Sequence, residues 1–179
     1  IITFQVIVIV PICLLSIIFS DFLINKVLLE FSDPALQKLA VNLFRWFISY
    51  LLLISISAVI MAVLNSHSYF FVPAITPILF SVTVISSVIF LYNTLGVYSM
   101  VVGVLTGGIF QIIFQLPVFF KLGYDFRADA DFSNHYFVKI MKNWFPVVAT
   151  ASVFAINQQI AIRFASGLAT GSSSALSYA

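Results

Sequence analysis

The sequence predicts an all-α protein: a polytopic transmembrane helix bundle of about five spans, with the start of a sixth. Three observations carry that prediction. Hydrophobic residues make up 62% of the 179 residues and charged residues only 8%, whereas a soluble domain carries about a quarter charged residues. From Trp46 to Phe120 there is no Asp, Glu, Lys or Arg, so this stretch cannot supply a water-facing surface, and mean hydropathy over the chain is +1.15. The apolar runs are about 20 residues long, as a helix rising 1.5 Å per residue needs to cross a hydrocarbon core of about 30 Å. The opening run, IITFQVIVIVPICLLSIIF, has none of the alternation of a barrel strand.

The spans fall at about 1–24, 43–65, 74–93, 97–120 and 144–165, with a further helix starting over 172–179. Pro11 lies inside the first, where neighbouring helices can re-satisfy a freed carbonyl, and predicts a kink. Asp33 before Pro34 is a helix-start signal: the carboxylate caps free N–H groups and proline occupies the first helical position. The second helix therefore begins at Pro34. Its first turns set Leu36, Leu39 and Leu43 against Lys38, Asn42 and Arg45, an amphipathic entry among headgroups with Trp46 at the interface. Pro77 and Pro146 are expected in the first turns of the third and fifth spans. NTLG makes a tight turn between the third and fourth. The hydrophilic stretch KLGYDFRADADFSNHYFVKIMKN holds half of the charged residues, and residues 132–143 within it are expected to form a short helix on the membrane surface. The chain opens on Ile1 already inside a membrane-length run, and closes on GSSSALSYA. That predicts a piece of a longer membrane protein rather than a signal peptide.

Several function classes are excluded. A net charge of +2 is too small to suggest nucleic acid. The single cysteine, Cys13, allows no intrachain disulfide. His67 and His135 stand alone in connections, without HExxH or a cysteine partner. Ser172 to Ser174 have no His or Lys at helical spacing to act as a base. Asp125, Asp129 and Asp131 lack the glycine and closing glutamate of a calcium loop. No metal site, cofactor site or enzyme is legible.

The informative polar residues lie inside the spans. Ser99, Gly103, Gly107, Gln111 and Gln115 recur every fourth residue and form one ridge on the fourth span. Gly103 and Gly107 are a GxxxG pair, expected to let another helix approach closely. Gln111 and Gln115 either bond across that seam or line a polar cavity. A row of Ser55, Ala58, Ala62 and Asn65 on the second span is expected to pack. On the fifth span, Ser152, Gln159, Arg163 and Ser166 fall within one sector at 100° per residue, while Asn157 faces away and reads as packing. Arg163 either faces a cavity, as intramembrane cations normally do, or snorkels to headgroups.

The chain resembles the MurJ/MviN-type lipid II flippases of the multidrug/oligosaccharidyl-lipid/polysaccharide exporter superfamily. Four stretches carry the resemblance: VLNSHSYFFVPAITP (63–77), QIIFQLPVFFKLG (111–123), Pro146 at the start of the family's seventh helix, and ASGLATGSSSALSYA (165–179). It covers nearly the whole chain, as helices three to seven and the start of eight. The resemblance implies a fragment of a larger two-lobe membrane transporter, a monomer when full length, in the bacterial inner membrane. It would pass lipid-linked peptidoglycan precursor across that membrane by alternating access, with membrane lipids around it. It also implies that 121–143 is cytoplasmic, which agrees with a slight excess of Lys and Arg over the 25–45 connection. The family's arginines lie on its first, second and eighth helices, outside this chain. Of its implicated positions only the serine of Gly-Ser-x-Ser maps here, onto Ser174, and Arg163 matches no family motif. Another exporter of the superfamily and a non-transport membrane scaffold are the alternatives.

Overall fold

In the computed structural model the described residues are 2–28, 34–126 and 133–166. They form α1 (Ile2–Ile18), a single turn α2 (Ser20–Phe22) running into a π-helical segment (Leu23–Leu28), α3 (Pro34–Ser66), α4 (Phe71–Leu95), α5 (Tyr98–Lys121) and α6 (His135–Ser166). There is no strand among the described residues. The fold is the predicted all-helical one. α3, α4, α5 and residues His135–Ile162 of α6 are long and apolar enough to cross a membrane, whereas α1 is apolar but only 17 residues long.

Three boundaries differ from the sequence expectation, and the smallest shift is at α4, which begins at Phe71 and so carries Pro77 past its first turn. The first run does not continue as one α-helix to residue 24. Phe19 leaves helical geometry at φ −93°, ψ 17°, where the polar pair Ser20–Asp21 ends the apolar run, and the chain rewinds as α2 and the π segment. Residues 135–143 are not a separate surface helix but the first turns of α6, unbroken to Ser166. Asn134 starts that helix, its Oδ1 accepting from the Tyr136 N–H at 2.9 Å, a side-chain cap on a free donor. Nothing between Asn143 and Trp144 is a helix breaker. Pro146 forfeits its own N–H bond and its ring crowds the preceding turn, a cost tolerated in membrane helices.

The chain divides into two units, one of residues 1–18 and 42–129, the other of residues 19–41 and 130–179. In the second, α6 is exposed on almost every face.

The first unit is built on α5. Its buried positions include Ser99, Gly103, Gly107, Gln111, Gln115 and Phe119, the every-fourth-residue ridge of the sequence extended by one turn. The glycines set how close the neighbours come. A Cβ at Gly103 would lie 2.9 Å from both Ser87 Cβ and Val84 Cα of α4. One at Gly107 would lie 2.9 Å from the Phe80 ring of α4, and one at Gly108 would lie 2.9 Å from the Tyr50 ring of α3. Tyr50 and Phe80 stack on each other with centroids 5.3 Å apart, so three helices meet over that glycine pair. Nearer the C-terminal end of α5, Phe119 joins Ile60 and Leu64 of α3 in an apolar cluster flanked by Val72, Ile112 and Leu116. The Cys13 thiol of α1 donates to the Ile48 carbonyl at 3.4 Å.

The packing face of α3 is therefore Ser57, Ile60 and Leu64, all at most 1% exposed. It is not the row expected from small residues: Ser55 is buried, but Ala58, Ala62 and Asn65 are exposed. Branched side chains spaced three and four apart bury more apolar area than alanines do, and they define the face.

Helix α3 ends in a Schellman-type turn. Tyr69 N–H bonds to Leu64 O at 3.0 Å and Ser68 N–H to Asn65 O at 3.0 Å, with Ser68 at φ 62°. This satisfies carbonyls that the end of a helix leaves free.

Candidate functional site

A membrane helix can hide a hydroxyl by bonding it to its own backbone, and this chain does so repeatedly. Ser55 donates to Leu52 O at 2.8 Å, Thr76 to Val72 O at 2.7 Å and Thr83 to Leu79 O at 2.8 Å. Thr106 donates to Val102 O at 2.6 Å. The Ser87 hydroxyl instead bridges helices: it donates from α4 to the Ser99 carbonyl of α5 at 2.7 Å, one turn from the close approach at Gly103.

The amides cannot all be hidden in this way, and they make the candidate site. Gln115 Nε2 of α5 donates to Ser57 Oγ of α3 at 2.8 Å, with Gln115 at 0% exposure and Ser57 at 1%. The Oε1 atoms of Gln111, Gln115 and Gln5 are buried without a hydrogen-bond partner. Gln111 lies one turn before Gln115 on the same ridge and is 7% exposed. Between Trp46 and Phe120 the sequence offers no ionisable carboxylate, ammonium or guanidinium, so the seam is polar and neutral. It can orient donors and acceptors, but it cannot by itself neutralise an ion.

The remaining sequence candidates lie elsewhere. Gly103 and Gly107 share the α5 ridge with Gln111 and Gln115. Asn157 and Gln159 belong to α6, in the other unit, and both are exposed. Asn157 lines an open, largely apolar groove with Thr150, Val153, Phe154 and Ile160, and the Thr150 hydroxyl is turned onto Pro146 O at 3.0 Å. Arg163 lies within α6, but its side chain is outside the described part of the structure, as is the whole of Ser174. Two members of the polar set were not singled out from sequence. Gln5 is signalled only as a lone amide in an apolar run. Ser57 has no such signal, because its partner is 58 positions away.

A second polar contact closes one end of the first unit. His67, in the α3–α4 connection, and the Tyr124 hydroxyl just past α5 are 2.9 Å apart, Nε2 to Oη. The Tyr124 ring stacks on Phe119 at 5.4 Å, and Phe119 also stacks on Phe126 at 5.3 Å.

Comparison with known proteins places this architecture in a family. A family model described as lipid II flippase MurJ matches residues 1–179. The probable lipid II flippase MurJ of Borreliella burgdorferi is 32% identical over 179 residues, covering 100% of this chain and 35% of that protein. That of Buchnera aphidicola subsp. Schizaphis graminum is 30% identical over 179 residues, covering 98% of this chain and 35% of the relative. That of Aquifex aeolicus is 35% identical over 112 residues, covering 60% of this chain and 22% of the relative. The chain thus spans about a third of the length of the first two relatives. A match that runs its full length makes it a member of the MurJ lipid II flippase family.

Proposed function

We propose that this chain is part of a flippase that moves lipid-linked peptidoglycan precursor, lipid II, across the bacterial inner membrane. The observation that carries the proposal is the family match over residues 1–179, on a chain whose helices are long and apolar enough to span a bilayer. A pyrophosphate–sugar headgroup cannot cross hydrocarbon unaided. A protein that moves one must offer donors and cations in a water-accessible cavity and expose it to each side in turn. In this reading the protein is a transporter and not an enzyme, and the full-length chain acts as a monomer. Residues 121–143 face the cytoplasm, and Gln159, Arg163 and Ser174 contribute to the cavity. The position of Gln159 one turn before Arg163, as an exposed residue of α6, supports that assignment.

The test is depletion of the full-length protein in its own cells, with lipid II assayed separately in the two leaflets. Accumulation on the cytoplasmic leaflet is expected. Undisturbed translocation of the precursor overturns the proposal, and accumulation of a different lipid-linked glycan assigns the protein to another branch of the exporter superfamily.

A further inference from the structure

One face of α6 changes character along its length. His135, Lys139 and Lys142 follow one another by four and three residues, so they share a sector about 60° wide at about 100° per residue. The same interval continues through Pro146, Ala149 and Val153, and all six stand within about 80°. Ala149 and Val153 line the open groove of this helix together with Phe154 and Ile156. The Thr150 hydroxyl is turned onto Pro146 O, which leaves this end of the groove apolar. Half-buried Phe137, Met141 and Val148 lie on the opposite side of the helix. The face is therefore cationic over its first turns and hydrocarbon beyond them.

The depth of that change is fixed by a neighbour. Trp144, 53% exposed, follows Lys142 by two residues, and indole rings collect at the membrane–water interface. Below that level a leaflet is about 15 Å deep, or about ten residues of helix. A hydrocarbon chain anchored at Lys142 thus runs past Ala149 and Val153 and ends near Ile156. Lys139 and Lys142 are like charges three residues apart, which repel on a helix, and residues 135–166 contain no Asp or Glu to offset them.

We propose that this face of α6 holds one anionic glycerophospholipid of the leaflet in which the helix begins. Its phosphate is bound by Lys139 and Lys142, beside the His135 ring, and one acyl chain lies in the groove. The face passes from cationic to apolar at the depth where such a lipid passes from phosphate to hydrocarbon. A zwitterionic lipid fits the groove but brings a cation of its own to the two ammonium groups, so the basic pair selects net negative charge. The face stands about 120° around α6 from Gln159, and the inference is independent of what the protein transports.

Photocrosslinking of the full-length protein in vesicles tests this, with phosphatidylglycerol or phosphatidylcholine carrying the same photoreactive acyl chain. Adducts are mapped by mass spectrometry, and the readout is the ratio of the two lipids on residues 146–156, in which general lipid contact cancels. Phosphatidylglycerol adducts are expected to exceed phosphatidylcholine adducts about threefold or more. Lys139→Gln with Lys142→Gln is expected to bring the ratio to about one, whereas Lys139→Arg with Lys142→Arg keeps it, which separates charge from folding. A ratio near one in the wild-type protein, or one that the glutamine pair leaves unchanged, overturns the proposal. Absence of adducts with either lipid also overturns it, because a protein segment then covers the face. So does loss of the phosphatidylglycerol adducts on adding lipid II, which assigns the face to that lipid instead.

Discussion

Gln115 of α5 donates a hydrogen bond to Ser57 of α3 at 2.8 Å, across 58 residues of sequence and with both side chains fully enclosed. It is a direct side-chain tie between two membrane-length helices at a point where neither can reach water. Ser57→Ala removes the acceptor and leaves the Gln115 amide with both ends unpaired, a loss of about 1–2 kcal/mol. Gln115→Leu removes the whole amide. The double variant is therefore expected to be more stable than Ser57→Ala alone, because no stranded polar group remains. A double-mutant cycle on the purified full-length protein, followed by thermal unfolding in detergent, measures this coupling. Strictly additive effects would mean that the bond contributes nothing.

The two ridge glycines are expected to differ in their sensitivity. At Gly103 a methyl group would meet Val84 Cα at 2.9 Å and Val84 O at 3.2 Å, which are backbone atoms that cannot rotate away. α4 and α5 must then separate, straining the Ser87–Ser99 bond at 2.7 Å. At Gly107 the obstacle is the Phe80 ring, which can tilt at the expense of its stack on Tyr50. Alanine gains about 1 kcal/mol of helix propensity at either position. Overpacking costs about 1–3 kcal/mol and exceeds that gain most clearly at Gly103. Gly103→Ala should lower the melting temperature more than Gly107→Ala, and the reverse order would mean that the ring, not the backbone, limits the approach.

How much of this was legible in the sequence follows from where each signal is stored. The α5 ridge is written in one helix at a fixed interval, so Gly103, Gly107, Gln111 and Gln115 can be read without knowing their neighbours. Ser57 cannot be read this way, because its role depends on the register between α3 and α5, and on α3 the small residues Ala58 and Ala62 gave the more regular row. The bulky Ile60 and Leu64 decided the face instead, through the apolar area they bury against Phe119. The start of α6 is hidden from a hydropathy reading for a related reason. Hydropathy changes sharply at Trp144, whereas helix continuity depends on local breakers and caps, and those favour an uninterrupted helix from Asn134 onward.

The contact between His67 and Tyr124 holds the segment after α5 against the α3–α4 connection, and it combines a hydrogen bond with ring stacking. Tyr124→Phe keeps the stack on Phe119 and loses only an exposed bond, so its effect on global stability is expected to be under about 1 kcal/mol. Tyr124→Ala loses both. Hydrogen exchange over residues 122–126 should be faster by several-fold in Tyr124→Ala and nearly unchanged in Tyr124→Phe. Equal acceleration in the two variants would assign the ordering to the hydrogen bond alone.

Arg163 follows Gln159 by one turn of α6, and its charge has two possible uses that make opposite demands. A cation in the hydrocarbon centre costs at least about 2.5–3.5 kcal/mol, so a cavity-facing arginine is retained for what it binds, and a snorkelling one for how it seats the helix. In the flippase proposed here, the anionic pyrophosphate of the substrate is the natural partner of a guanidinium, through paired N–H donors. Arg163→Gln should therefore reduce lipid II translocation several-fold while membrane abundance stays near wild type. Arg163→Lys, which keeps the charge but not the fork of donors, should fall between. Translocation per unit of protein, from a leaflet assay normalised to immunoblots of the membrane fraction, separates the two uses. If activity and abundance fall together, Arg163 seats the helix and the cavity assignment fails for this residue.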